Sequence, residues 1–215
     1  MLHDGERRMM QIDMTTLVPG FNDTVHDAQR VFRALLDALS RPGSIVAIDA
    51  ALPDNHALRD ALAGRVPLAA FASLLAITDY STPVHIDRED KVLGDALRFH
   101  ASAPLTNDRR EAAFAYVDDA RAMPSLDAFS HGEPESPEDA ATLFIRVPSL
   151  TEGEPLVWRG PGIAESRTVA IAGLTRAFWH QRAALTALFP CGIDCYFVAG
   201  GALVGLPRTT QVEVN

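Results

Sequence analysis

The sequence predicts an α/β fold, a mixed sheet with helices packed on it. Three observations carry that expectation. Runs with helical apolar spacing alternate with short apolar runs bounded by glycine and proline, no segment repeats, and 47% of the 215 residues are hydrophobic against 22% charged. That is enough apolar material for a substantial core in one large domain or two small ones.

The elements follow in order. In "FNDTVHDAQRVFRALLDALSRPG", Val25, Ala28, Val31, Phe32, Leu35, Leu36 and Leu39 share one helical face. Asp23 or Thr24 can cap this helix, and Arg41-Pro42-Gly43 stops it. "SIVAI" reads as a strand. Helical patches cover Asn55 to Ala63 and Pro67 to Ile77, and a helix in Glu89 to Phe99 separates strands at Pro83 to Asp87 and Ala113 to Val117. The acidic, proline-bearing stretch Ser130 to Ala140 reads as a surface loop. Strands are expected at Ala141 to Val147, Leu156 to Trp158 and Arg167 to Ile171, and then "GLTRAFWHQRAALTALFP" carries helical spacing until Pro190.

"GIDCYFVAGGALVGLPR" is two apolar runs joined by Gly200-Gly201, the signal of a two-residue hairpin. That turn sets Val198 opposite Leu203, Tyr196 opposite Gly205 and Ile193 opposite Arg208, with Tyr196 lying over the bare Gly205. Both faces are apolar, which places the hairpin inside the sheet.

Composition excludes several functions. A net charge of -9 repels phosphate backbones and anionic membranes, so neither nucleic acid nor a membrane is expected as the main partner, and an anionic ligand would need a local basic pocket. "PLAAFASLLAI" is about half of what a bilayer-spanning helix needs, and "MLHDGERRMMQIDM" is too charged for a secretory signal, so a cytoplasmic protein is expected. Cys191 and Cys195 spell neither a zinc ribbon nor a thioredoxin pair and are expected to be reduced. His26, His56, His85, His100, His131 and His180 are scattered without ligand spacing, so no metal site is expected. No GxSxG elbow is present, and the catalytic residues stay unknown.

Two stretches carry candidate anion-binding chemistry. Arg208, with Thr209 and Thr210, stands at the end of an apolar strand, where a guanidinium fork and two hydroxyls suit a carboxylate or a phosphate. The register sends Arg208 and Asp194 to opposite faces, unless Pro207 interrupts it. The competing reading has Arg208 bonded to backbone carbonyls of the hairpin. In "RGPGIAESR", Arg159, Gly160 and Gly162 can cradle phosphate with exposed amides, or simply form a tight turn. Trp179, His180 and Arg182 form either a patch for a partner or, with Phe178, a closure of the core.

The blocks "FNDTVHDAQRVFRALLDALSRPG", "TPV", "LRFHASAPL", "GPGIAESR", "FPCGIDCYF" and "LPRTTQVEV" run in order from Phe21 to Val214. Together they resemble the H-subunit family of the bacterial carbon-phosphorus lyase system for phosphonate use. Thr24 stands where that family commonly has proline. The resemblance implies a single domain over 21–215 behind an N-terminal arm, residues 1–20; residues 1–15, which precede the resembling blocks, are expected to be ordered by contact. It also implies a fold similar to the large domain of type I pyridoxal-phosphate transferases without that cofactor, a homodimer, and assembly with the G, I and J subunits. That assembly takes part in coupling a phosphonate to ribose C1 of MgATP with loss of adenine, ahead of carbon-phosphorus cleavage.

The residues agree with an absent cofactor. Pyridoxal phosphate needs a lysine amine, and the one lysine, Lys91, lies in the charged stretch "DREDKVLGD". An autonomous enzyme acting on a phosphorylated small molecule and a purely structural homodimeric scaffold are the alternative readings.

Overall fold

The computed structural model describes residues 17–52, 56–88 and 90–214. Of the expected arm, all but residues 17–20 lies outside them, as do Asn55 and Glu89, the first residues of two expected helices.

The first helix, α1 (Thr24–Ser40), is capped by Asp23, whose carboxylate accepts from the amides of Val25 and His26. It stops at the expected place, where Gly43 takes a left-handed φ of 79°. Its expected apolar face divides into two. Val31, Leu35 and Ala38 are buried, whereas Val25, Phe32 and Leu36 are about half exposed on the outside. The following strand β1 (Ile45–Ala47) is shorter than expected, because Ile48 turns into the core and opens the short helix α2 (Ile48–Ala51). Next come α3 (His56–Leu62) and α4 (Leu68–Ile77), the latter buried over its first seven residues.

Strand β2 (Val84–Ile86) leads to α5 (Lys91–Ala96), capped by Asp90 and continued by a π turn over Leu97–Ala101. Strand β3 (Phe114–Val117) follows. The expected loop over Ser130 to Ala140 is instead a hairpin, β4 (His131–Glu133) with β5 (Ser136–Ala140). It stands at the surface with Glu133, Glu138 and Asp139 exposed. It has no apolar alternation to read, and its pairing rests on backbone bonds and on Ser130, whose hydroxyl donates to the Asp139 carbonyl at 2.9 Å.

Strands β6 (Thr142–Arg146), β7 (Leu156–Arg159) and β8 (Arg167–Val169) fall where expected, β8 ending two residues early. Helix α6 (Arg176–Leu185) is capped by Thr175. Then come β9 (Asp194–Ala199), β10 (Ala202–Leu206) and β11 (Gln211–Glu213).

The main sheet has six strands in the order β1-β10-β9-β6-β3-β2, with β9, β6, β3 and β2 parallel to one another and β10 antiparallel to both its neighbours, β9 and β1. The fold is thus a mixed α/β sheet, and the hairpin lies inside it with the expected register, Val198 opposite Leu203 and Tyr196 opposite Gly205. A second sheet, β11-β7-β8, is antiparallel.

Strand alternation sends alternate side chains into two cores. Tyr116, Phe144, Tyr196, Val198 and Leu203 face α1 to α5. Leu143, Ile145, Cys195, Phe197, Val204 and Leu206 face the second sheet and α6. There Phe178 and Trp179 surround Phe197 at ring separations of 5.9 and 5.7 Å, so these two aromatics close the core, Arg182 is buried beside them and only His180 is exposed.

Gly205 has a different neighbour from the expected one. A Cβ there would meet the carbonyl oxygen of Ala38 at 2.6 Å, so the bare spot is occupied by the backbone of α1. Tyr196 donates from its hydroxyl to the Leu35 carbonyl of the same helix, at 3.2 Å, and stacks on Phe144.

Candidate functional site

The end of β10 is held from two sides. Pro207 breaks the ladder, and the chain turns so that Arg208 meets Asp194, the first residue of β9. The Arg208 amide donates to Asp194 Oδ1 at 2.6 Å, and Nε and Nη2 donate to Oδ2 at 3.1 and 2.7 Å. Its Nη1 donates to the Pro137 carbonyl in β5 at 2.6 Å and to the Pro190 carbonyl at 3.4 Å. An uninterrupted hairpin register would set Arg208 and Asp194 on opposite faces. Pro207 interrupts that register, which is why they meet. From the other side the buried Arg182 donates to the Pro207 carbonyl at 2.5 Å. Thr210 is buried, its amide bonded to the Pro207 carbonyl and its hydroxyl without a partner among the described residues; Thr209 is half-buried.

The glycine loop lies beside Thr209 and Thr210, because β7 pairs with β11 and sets Arg159 opposite Gln211. Arg159 donates to Glu213 Oε1 at 2.6 Å. A Cβ on Gly160 would stand 3.1 Å from the Thr209 carbonyl, and one on Gly162 2.1 Å from that of Ser40. The turn is therefore packed against the end of α1 and the strand end. The structure brings Arg159, Gly160, Gly162, Thr209 and Thr210 into one neighbourhood, and it directs the Arg208 fork away from them toward Asp194.

Two open crevices lie elsewhere, at the carboxyl ends of the parallel strands, where α/β sheets commonly bind ligands. Strand β3 ends before Asp118, β6 ends at Arg146, and β9 ends before Gly200. Arg146 Nη1 donates to Asp118 Oδ1 at 3.0 Å and to the Arg65 carbonyl at 2.8 Å. Tyr116 donates to the same Asp118 oxygen at 2.8 Å, and burial first, then Asp118, raises its hydroxyl well above the ordinary tyrosine value. On one side of Arg146 a crevice of about 440 Å³ opens between Arg59, Arg65 and the Gly200-Gly201 turn. On the other, one of about 330 Å³ is walled by Asp118, Asp119, Arg121 and Gly173.

Sequence reasoning missed these residues. The available signal was a charge directly after an apolar strand, in "FIRVP" and "YVDDA"; it becomes informative only once the strands are known to be parallel. Among the described residues no group of three histidine, cysteine, aspartate or glutamate side chains gathers as a metal site, and no helix is long and apolar enough to cross a membrane.

Residues 19–213 match the family described as "Bacterial phosphonate metabolism protein (PhnH)". The chain belongs to the PhnH family. A relative in Rhizobium meliloti (strain 1021), named "Alpha-D-ribose 1-methylphosphonate 5-triphosphate synthase subunit PhnH", is 36% identical over 197 residues, covering 90% of this chain and 94% of that protein. A second, in Stutzerimonas stutzeri, named "Putative C-P lyase subunit protein HtxG", is 28% identical over 187 residues, covering 87% of this chain and 86% of that protein. The PhnH match spans Arg146, Arg159 and Arg208 and every strand of the two larger sheets.

Proposed function

We propose that this PhnH-family chain is a cytoplasmic subunit of the assembly that activates phosphonates, the ribose 1-methylphosphonate 5-triphosphate synthase of the carbon-phosphorus lyase pathway. In that reaction a phosphonate oxygen bonds to ribose C1 of MgATP, the C1–N bond breaks, and adenine leaves with a proton. The observation that carries the reading is the near full-length likeness to a protein named as a subunit of that synthase.

The chain acts with the G, I and J subunits and as a homodimer, in a non-catalytic or co-catalytic role. Val25, Phe32 and Leu36, exposed along one side of α1, are consistent with a surface covered in an assembly. The protein works without pyridoxal phosphate, on a fold like the large domain of type I pyridoxal-phosphate transferases. Lys91, the one lysine, opens α5 in an exposed position, which is unlike the desolvated setting an aldimine lysine needs.

The test is tagged purification from cells that express the G, I and J genes with this one. The three subunits should co-elute, and the isolated chain should show a two-protomer mass in light scattering at micromolar concentration and no turnover of MgATP with methylphosphonate. Turnover by the isolated chain favours the autonomous enzyme, and elution without partners removes the subunit reading.

A further inference from the structure

The crevice of about 440 Å³ is basic in an acidic molecule. The chain carries a net charge of -9, yet the crevice is lined by three guanidinium groups, Arg59, Arg65 and Arg146, and by one carboxylate, Asp49. These arginines are incompletely used by the fold. Arg59 spends Nη2 on the carbonyls of Asp49 and Leu52, at 2.6 and 3.2 Å, and leaves a buried Nε with no partner among the described residues. Among the described residues Arg146 has hydrogen bonds only through Nη1. The exposed Arg65 guanidinium has no partner among the described residues.

The surrounding backbone adds to this field. Pro67 and Leu68, the cap and first residue of the ten-residue α4, line the crevice, so the positive end of that helix faces it. Gly64 and Gly200, both at left-handed φ, have open space where a side chain would stand, so a ligand can approach the main chain there. Contrast the Arg208 fork, whose anion is Asp194 of the same chain.

We propose that this crevice binds a tetrahedral phosphorus oxyanion, with Arg65 and the free nitrogens of Arg146 as its donors and the Arg59 guanidinium adding positive charge. The guanidinium set selects a multiply charged oxyanion; the choice of phosphorus rests on the phosphonate-activation reading above. A phosphonate and the phosphate chain of a nucleotide share this chemistry, and the two are separated by titrating each.

The experiment is calorimetric titration of the full-length protein, at fixed ionic strength, with methylphosphonate and, separately, with MgATP. Binding by methylphosphonate alone assigns the phosphonate, and by MgATP alone the nucleotide. Arg65→Ala, at an exposed position, should leave the thermal midpoint unmoved and weaken binding about tenfold, as expected for losing one charge-assisted contact. Arg146→Gln should weaken it in the same direction. No heat with either ligand, or an unchanged affinity in Arg65→Ala, overturns the proposal. A chain that binds neither ligand yet co-elutes with the G, I and J subunits loses this site and keeps its place in the assembly. One that binds but never co-elutes keeps the site and loses the assembly.

Discussion

Arg208 engages both oxygens of Asp194 and two carbonyls from other segments, so one side chain ties the end of β10 to the start of β9 and to the surface hairpin. Lysine at this position keeps the charge and loses the planar fork. Arg208→Lys is therefore expected to lower the thermal midpoint by several degrees, corresponding to about 1–3 kcal/mol of partly buried polar contacts, and Asp194→Asn should do the same, both read by circular dichroism. An unchanged midpoint in both variants would reject the clamp. The sequence shows that a guanidinium at a strand end must find oxygen, but it cannot supply the oxygen's owner. Ile193 and Asp194 are adjacent, and only the turn made by Pro207 selects between them. Arg146 was harder still to find, since a charged residue after an apolar strand is ordinary until β3, β6 and β9 are aligned in parallel.

At the scale of elements, α1 is seated on the hairpin at Gly205. Gly205→Ala would push a methyl group into the Ala38 carbonyl, a contact that backbone cannot easily yield. The expected cost is about 1–3 kcal/mol, a fall of about 2–4 °C in midpoint per kcal/mol. Gly200→Asn, at φ 56° with open space around it, should change the midpoint little, because asparagine tolerates the left-handed region. Equal effects of the two would contradict this account. The hairpin was legible because Gly200-Gly201 fixes a two-residue turn and everything after it counts off in pairs. The pairing of β7 with β11 was not, since 51 residues lie between Arg159 and its partner Gln211 without joining them by a turn. The β4–β5 hairpin gave no signal either, its polar side chains matching a loop as well as a ribbon.

At the scale of the whole molecule, the two cores hold the protons of three acidic side chains. Burial pushes the Cys195 thiol from 9.0 up to about 12, Asp194 adding to the shift and Arg182 opposing it, and burial raises the Tyr116 and Tyr196 hydroxyls too. Since the folded-state values lie above the unfolded ones, this contribution is fully present below about pH 9 and is lost as pH climbs toward 12. The midpoint should fall across that window, less steeply in Cys195→Ala, and a thiol reagent at pH 8 should label half-buried Cys191 while sparing Cys195 until the protein unfolds. Layered α/β order was readable from the alternation of elements, and β9 beside β10 from the hairpin turn, whereas the rest of the sheet order, with β1 beside β10, was not, because it joins distant segments. That order also ranks the segments in time. Ribosomes make α1 and β1 early, yet the strand beside β1 is β10, and the hydroxyl that reaches Leu35 belongs to Tyr196, 161 residues later. Through most of translation, then, Val31 and Leu35 have no sheet to cover them, and the first-made part of the fold waits for the last.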